Sequence, residues 1–304
     1  MNTQFQDKIP LFDLHCDTIT ELYKQKLSLS DAPLHISLEK AKGFSPYVQV
    51  LSIWTDKNDR DDEGYFHFLE CIDYFHNQTI ALSKNHPQFI LGVEDARILS
   101  NNIDRLQTLY DCGVRVLTLC WKGDSCIGGS WNTSKSLTPF GVQVVQKCAS
   151  LGIVVDLSHS SLQVQQQVIE LAHKYGFVPI FSHSNSYSVC SHKRNIFDKT
   201  FEDIVELGGV VGISLCCEHL KNDGKADINT ILKHIEHFLT LNGADTICLG
   251  CDLDGINHLP NGICSIADLS KLYFACISEF GKDITTKLFF SNAHNYFKIH
   301  QKEE

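Results

Sequence analysis

The chain has 304 residues, of which 43% are hydrophobic and 20% charged, proportions that are typical of a soluble globular protein. Its net charge of −10 argues against a nucleic-acid groove or an anionic membrane surface, because both favour a basic patch. No stretch approaches the roughly 20 apolar residues of a membrane span, and the N-terminal residues lack the apolar core of a secretory signal. We therefore expect a cytoplasmic protein with neither a nucleic-acid nor a membrane partner.

The cysteines also favour a cytoplasmic location. There are 13 of them, an odd number, and several lie inside apolar segments. Without a secretory signal they favour a reducing compartment, in which buried thiols behave as small hydrophobic side chains. Cys248 and Cys251 form a Cys-x-x-Cys motif on a predicted strand. Residues three apart on a strand face opposite sides, so we do not expect this pair to bind one ion.

Eight short segments rich in β-branched residues predict strands. In chain order they are Ile9–Asp13, Tyr47–Trp54, Phe89–Val93, Arg115–Cys120, Ile153–Leu157, Val178–Ser182, Val210–Leu215 and Thr246–Gly250. Most are continuous apolar runs, and such runs are typical of a parallel sheet that is covered on both faces.

Helical patterns separate many of these strands. They cover Asp104–Cys112, Leu137–Leu151, Leu162–Tyr175, Phe201–Leu207 and Ile228–Leu241, and two more, Ile266–Phe280 and Asp283–Tyr296, follow the eighth strand. The alternation predicts an α/β fold, specifically a (β/α)8 TIM-type barrel with C-terminal closing helices. No repeat and no Pro- or Ser-rich linker stands out, so we expect residues 1–304 to form a single domain.

Four polar connections follow predicted strands, at Thr55–Gly64, Trp121–Ser136, Glu218–Lys225 and Gly255–Cys264. In a barrel, strand-to-helix connections lie on the catalytic face. They are either solvated loops or the walls of a substrate pocket, and both interpretations stay open.

Side chains that bind metal ions stand at or just after the ends of five predicted strands. They are His15 and Asp17, Glu94, His159, His183 and Asp252. Each alone has a plain alternative, such as a turn residue or a neighbour of a helix N-cap. Their shared position at the C-terminal ends of strands, where a parallel barrel builds its site, indicates a metal centre.

Imidazole and carboxylate groups without thiolate favour zinc or a similar divalent ion in a catalytic site. One carboxylate between two histidine-containing groups suits a pair of ions about 3.5 to 4 Å apart. By contrast, we expect His234 and His237, three apart on a predicted helix, to lie on a solvated face.

Several motifs, in order, resemble those of the renal or membrane dipeptidase family of zinc peptidases over nearly the whole chain. They are Asp13-Leu-His15-Cys-Asp17, Leu91-Gly-Val-Glu94, Gly113–Leu119, Leu151–His159, Phe181-Ser-His183-Ser, Lys193-Arg194-Asn195 and Gly250-Cys-Asp252-Leu-Asp254-Gly255.

The resemblance implies roles for these residues. His15 and Asp17 would hold one zinc ion, His159 and His183 the other, and Glu94 would bridge the two. Asp252 would lie beside the hydroxide between the ions and act in catalysis with Glu94, and Arg194 would bind the substrate's carboxylate. A dipeptidase of this kind hydrolyses dipeptides, including those with a D-residue at the C-terminal position, and forms homodimers in many cases.

Two positions depart from the family pattern. Trp121 stands where many members have a histidine after the fourth strand, and Cys216 stands where many have a tyrosine. We therefore expect Trp121 to line the substrate pocket and to alter specificity. The departures also keep open a catalytically weakened relative that is used for binding.

Another metal-dependent barrel hydrolase, of the deaminase, lactonase or phosphoesterase type, is a further alternative. Such families usually open with His-x-His, and many use a lysine at the fourth strand. Here the opening is His15-Cys-Asp17, and Lys122 lies beyond Trp121, so the dipeptidase interpretation is favoured.

Overall fold

The computed structural model describes residues 8–56, 62–79 and 87–300. Within these ranges seven strands form one parallel sheet: β1 Ile9–Cys16, β2 Phe44–Trp54, β3 Gln88–Glu94, β4 Val114–Thr118, β5 Val154–Asp156, β6 Val211–Ile213 and β7 Ile247–Leu249. The strand order is β5-β4-β3-β2-β1-β7-β6. The predicted α/β class and parallel sheet are therefore confirmed, and strands that follow one another in sequence mostly lie side by side.

The predicted strand Val178–Ser182 is not assigned as a strand. Within it, Ile180 forms a single parallel bridge with Asp156 of β5, and Phe181 forms one with Val211 of β6. The segment thus lies between the two edge strands of the sheet and pairs with both. It forms only one bridge with each of them, which is too few for it to be assigned as a strand.

The backbone of this segment explains why its ladder is so short. Pro179 has no N–H to donate, and the N–H of Ser182 donates to the side chain of Asp156 at 2.8 Å instead of to a neighbouring strand. A Cβ on Gly212 or Gly250 would lie 1.9 or 1.8 Å from the carbonyl oxygen of Ser182. These two glycines allow the segment to pass close to β6 and β7.

Some strand bounds differ from the predicted ones. β1 extends three residues beyond Asp13, because Cys16 still pairs with Leu51 of β2. The strands predicted at Ile153–Leu157, Val210–Leu215 and Thr246–Gly250 shrink to three residues each. Short apolar runs mark where a strand lies better than where it ends.

Ten α-helices are assigned among the described residues: α1 Thr18–Gln25, α2 Glu63–Thr79, α3 Asp104–Asp111, α4 Pro139–Leu151, α5 Leu162–Tyr175, α6 Asp198–Leu207, α7 Cys217–Leu220, α8 Ile228–Thr240, α9 Leu269–Thr286 and α10 Asn292–His300. The five crossover helices predicted from sequence are confirmed within three residues at each end. Helices α1, α2 and α7 lie outside those predictions. Residues 57–61 of the predicted Thr55–Gly64 connection lie outside the described residues.

The closing helices cover the N-terminal end of the sheet. Helix α9 changes direction at Gly281, which has φ 80° and ψ 168°, and a π-helical turn at Lys287–Ser291 leads into α10. Phe297 of α10 stacks on Phe12 of β1 with ring centroids 5.2 Å apart. Helix α10 therefore packs its aromatic side chains against the strands at this end of the sheet.

His234 corrects one prediction. It is fully buried rather than solvated, its Nε2 lies 2.9 Å from the carbonyl oxygen of Leu220, and its Nδ1 accepts from the N–H of Ser186 at 3.1 Å. A predicted amphipathic helix does not reveal that a polar group inside the core has both partners it needs. His237, on the same helix, stays partly exposed and contacts Asp198.

The buried cysteines match the expectation, since Cys120, Cys190, Cys216, Cys248 and Cys251 all have side chains in the interior. Among the described residues, no helix is both long and apolar enough to cross a membrane.

Candidate metal centre and substrate cavity

His15 and Asp17 come together at the C-terminal end of β1. His15 is one residue from the end of the strand, and its Nε2 lies 3.6 Å from Asp17 Oδ2. Both residues are buried. Ser52 of β2 lies behind the imidazole, with its Oγ 3.2 Å from His15 Nδ1. His15 therefore directs Nε2 toward the carboxylate of Asp17, while Ser52 contacts Nδ1.

Glu94, the last residue of β3, lies between two groups of ligands. Its Oε2 is 3.8 Å from His15 Nε2, while its Oε1 is 2.9 Å from His159 Nε2 and 3.5 Å from His183 Nε2. The two oxygens thus face opposite sides. This is the arrangement expected of a carboxylate that bridges two ions.

His159 and His183 form the second group. Their Nε2 atoms are 2.8 Å apart, close enough to share one partner. His159 has φ 65°, a left-handed backbone that residues other than glycine seldom adopt outside turns and functional sites. This conformation follows the end of β5 by three residues and turns the imidazole back toward Glu94.

Asp252 approaches from beyond β7. Its Oδ1 lies 3.9 Å from His15 Nε2, and its backbone has φ 59°. Gly255 allows this approach, since a Cβ there would lie 2.0 Å from Asp17 Oδ2 and 2.5 Å from Asp252 Oδ1. Asp254, by contrast, accepts from Thr18 Oγ1 at 2.6 Å and holds the turn in place.

We call the six side chains His15, Asp17, Glu94, His159, His183 and Asp252 the floor of the site. Two overlapping sets within it have ligand atoms within 4.8 Å of one another: His15, Glu94 and His183, and His15, Asp17 and Asp252. The structure thus brings together every metal ligand that the sequence predicted.

The floor suits divalent ions. In the part of the chain that the structure describes, His15 Nε2 and Asp17 Oδ1 are buried without a hydrogen-bond partner, although they face other ligand atoms. Burying polar atoms in this way is costly unless a ligand satisfies them. The donors are imidazole nitrogens and carboxylate oxygens, which suit zinc and similar ions.

The pKa values of the histidines in the floor differ between its two sides. Burial lowers the pKa of His15, but Glu94, Asp17 and Asp252 outweigh it and raise the pKa to about 10. Burial holds the pKa of His159 and of His183 well below the ordinary value. The carboxylates around His15 thus favour its cationic form, whereas the surroundings of His159 and His183 favour neutral imidazole.

Arg194 lies deeper than expected for a residue that contacts substrate. It is 5% exposed, and its Nη2 donates to the carbonyl oxygen of His183 at 3.2 Å. Its Nη1 lies 3.4 Å from Ser184 Oγ. Burial lowers the pKa of the guanidinium, while Asp252 and Glu94 oppose that effect. Its charge therefore acts on the floor, and its role toward a substrate carboxylate stays a prediction.

A cavity of about 470 Å³ opens above the floor. We call Trp54, Trp121, Cys216 and His219 the wall of this cavity. The Trp54 and Trp121 rings meet edge to face with centroids 5.0 Å apart, and Trp121 lies 6.4 Å from the ring of His159. Trp121 thus lies in the lining of this cavity, and its role toward a substrate stays a prediction. Three of the four polar connections contribute residues to the lining.

Two residues of the wall, Trp54 and His219, were not predicted from the sequence as site residues. Trp54 ends β2 in register with Glu94, so its position at the shared strand edge was a usable signal. His219 gave no signal of its own beyond a place in a predicted wall connection. Its ring lies against that of His192, with centroids 4.7 Å apart and the ring planes tilted by 34°. Lys24 of α1, also unforeseen, stands at the rim.

Comparison with known families identifies the architecture. The sequence model of the membrane dipeptidase family, peptidase family M19, matches residues 2–302. This chain belongs to the membrane dipeptidase family. Membership confirms the resemblance noted from the motifs.

Individual relatives agree with this assignment. An uncharacterized dipeptidase of Schizosaccharomyces pombe is 31% identical over 209 residues, which are 66% of this chain and 50% of that protein. The match thus spans half the length of that curated relative.

Two solved structures share the fold. A metallopeptidase described as dipeptidase AC, of family M19, has a TM-score of 0.89 at 22% identity, covering 97% of this chain and 99% of its own. A Rhodobacter sphaeroides metallopeptidase with a phosphinate mimic of L-Ala-D-Ala has a TM-score of 0.86 at 22% identity, covering 97% and 100%.

Proposed function

We propose that this protein is a zinc-dependent dipeptidase whose floor holds two divalent ions. The observation that carries the proposal is the position of Glu94, whose two oxygens face His15 on one side and His159 with His183 on the other. His15 and Asp17 would hold one ion, and the two other histidines the second. Bound there, the ions would lower the pKa of a water molecule toward about 7 and polarise the scissile carbonyl.

Asp252 is the proposed base. Its carboxylate faces the cavity beside the acidic side of the floor, and burial raises its pKa to about 7 although His15 opposes the shift. A carboxylate of this kind can take a proton from the attacking water and return it to the leaving amine. Burial and Asp17 raise the pKa of Glu94 as well, which its ions would reverse.

The cavity limits the substrate. Its volume of about 470 Å³ lies in the range of sites for small molecules and suits a dipeptide rather than a longer chain. Arg194, buried beside His183, is the proposed partner of the substrate's free C-terminal carboxylate, because its planar guanidinium can bind a carboxylate with two hydrogen bonds. The R. sphaeroides structure with an L-Ala-D-Ala mimic supports including a D-residue at the C-terminal position.

The remaining predictions accompany this proposal. A closed (β/α)8 barrel is supported by hydrogen bonds to both edge strands. Ile180 donates to Val155 and accepts from Leu157 on the β5 side, and Phe181 donates to Val210 and accepts from Gly212 on the β6 side. A cytoplasmic location, a single domain over residues 1–304 and a homodimer stay predictions.

The test is hydrolysis of a panel of L-L and L-D dipeptides by zinc-loaded protein, with and without a chelator. Cleavage that the chelator abolishes and added zinc restores is the expected result. Elemental analysis should find two ions per chain. Binding of one ion or none would contradict the bridging role of Glu94, and failure to cleave any member while two ions are bound would reject the dipeptidase activity.

A further inference from the structure

A buried carboxylate lies behind the imidazole side of the floor and does not reach the cavity. Asp156 ends β5 and is 0% exposed. It lies in register with Thr118, which in turn lies in register with Glu94. Glu94, Thr118 and Asp156 therefore lie side by side on neighbouring strands. The carboxylate of Glu94 belongs to the floor, and that of Asp156 lies beneath it.

Asp156 accepts four hydrogen bonds. Its Oδ1 accepts from the backbone N–H of Ser158 at 2.9 Å and of Ser182 at 2.8 Å. Its Oδ2 accepts from the hydroxyls of Thr118 at 2.5 Å and of Ser182 at 2.6 Å. All four lone-pair directions of the carboxylate are thus used, and none is left for the cavity.

One of these bonds leads to a floor histidine. Ser182 Oγ lies 2.8 Å from Nδ1 of His183, whose Nε2 faces Glu94. Because the hydroxyl proton of Ser182 goes to Asp156, its oxygen is free to accept the Nδ1–H of His183. The result is a directed chain from imidazole through hydroxyl to carboxylate, which leaves Nε2 with a free lone pair for an ion.

The backbone of His183 is held by the same group of residues. Its N–H donates to Ser158 Oγ at 3.1 Å, and the N–H of Ser158 is itself held by Asp156. Both the position and the ring orientation of His183 therefore depend on this carboxylate.

The acidic side of the floor is built differently. Ser52 Oγ lies behind His15 Nδ1 at 3.2 Å, and the described residues include no carboxylate that accepts from Ser52. That side has Asp17 and Asp252 among its own ligand groups, whereas the imidazole side has only an oxygen of Glu94. Asp156 supplies the negative charge that the imidazole side otherwise lacks.

We propose that Asp156, acting through Ser182, is a positioning residue for the ion on the imidazole side of the floor. It holds His183 in the tautomer that presents Nε2 and makes that nitrogen a stronger ligand. The proposal rests on the metal site of the proposed function but does not depend on the substrate. Partners behind a ligand of this kind typically change metal affinity by about 10- to 100-fold.

The experiment is a zinc and cobalt titration of Asp156→Asn and Ser182→Ala, with affinity measured by competition with a chromophoric chelator. We expect one of the two ions to bind about 10- to 100-fold more weakly in both variants, with the other ion little changed. The visible spectrum of the cobalt form should change for the weakened ion. Ser182→Thr, which retains the hydroxyl, should restore most of the affinity.

Ser188→Ala is the matched control. Ser188 also donates to an aspartate, Asp198, at 2.9 Å, but at an exposed position remote from the floor, so this variant should bind both ions as the parent does. Should Asp156→Asn fail to fold, the milder Ser182→Ala decides. If folded Ser182→Ala binds both ions with parental affinity and an unchanged cobalt spectrum, the proposal is wrong. Parental protein that binds two ions but cleaves no dipeptide would reject the activity and leave this proposal standing.

Discussion

The floor and the wall of the cavity are built on different principles. The floor consists of imidazoles and carboxylates at or just beyond strand ends, backed by buried hydroxyls and held by positive-φ turns at His159 and Asp252. The wall consists of two tryptophans, a thiol and a histidine, contributed mainly by connections and by α7. The floor matches the family's motifs in order, whereas the wall departs from them at Trp121 and Cys216.

The difference indicates a division of labour. Ligand atoms must stay within a few tenths of an ångström, so they belong on rigid strand ends with supporting partners. Residues that only shape the cavity can vary on connections without disturbing the ions. We therefore expect changes in the floor to act on turnover and changes in the wall to act on substrate choice, and four predictions probe that division.

The largest effect is expected at Asp252. Asp252→Asn retains the size of the side chain and removes the proposed base, so kcat should fall about 10³-fold, within the range for loss of a general acid–base group. Zinc content, measured by elemental analysis on the same sample, should stay at two ions. Near-parental turnover would show that another group takes the proton and that the floor's role is confined to holding metal.

Arg194 is buried next to His183 of the floor, and its contact with the substrate carboxylate is a prediction. Arg194→Ala should raise KM about 100-fold with a smaller change in kcat, because a charge-assisted contact to a carboxylate is lost. Arg194→Lys retains the charge without the planar fork and should recover only part of the loss. Steady-state kinetics with a dipeptide and its C-terminal amide test the carboxylate contact. If Arg194→Ala raised KM equally for both substrates, the contact would be contradicted.

The third prediction concerns His234, which lies behind the wall and bonds to the residue that follows His219. It joins Ser186 and Leu220, the neighbour of His219, and burial lowers its pKa to about 4. Its folded-state pKa lies below the ordinary 6.5, so the unfolded chain takes up this proton first as pH falls. The free energy of unfolding should therefore decline from pH 7 to pH 4, by about 3 kcal/mol from this group.

Urea denaturation at a series of pH values measures that decline. His234→Gln retains an acceptor and a donor but not the titration, so its curve should fall less steeply over the same range. His173→Gln changes an exposed imidazole at the end of α5 and serves as the control that should keep the parental decline. Parallel curves for the parent and His234→Gln would contradict the assignment.

The smallest effect is expected at Trp121. Trp121→Ala should enlarge the cavity and shift the ratio of kcat/KM between large and small substrate side chains by about 10-fold, the scale of a pocket that gains a few methylene volumes. Zinc binding should not change. If instead the variant lost an ion, Trp121 would belong to the support of His159, whose ring it approaches.

Much of the floor could be read from the sequence, since strand ends are marked by apolar runs and ligand-type residues follow them directly. His15, Glu94 and Asp252 were found in this way. The segment Val178–Ser182 was misjudged because its apolar run outweighed the missing N–H of Pro179, which the sequence does show. The sequence does not show that the side chain of Asp156 takes the N–H of Ser182. His234 was predicted to be solvated because helical periodicity places a polar histidine on the exposed face. The sequence does not show that Ser186 and Leu220 provide hydrogen-bond partners for it in the interior.

By itself, the order of residues determined the α/β class, the positions of the strands and the identity of the floor, because these depend on local apolar runs and on which residues follow them. Only the tertiary structure decided that Glu94 faces both groups, that Asp156 stands behind His183, that Arg194 is buried and that Trp54 and His219 complete the wall. These features join residues far apart in sequence, and their positions depend on how the sheet curls and how each connection returns to it.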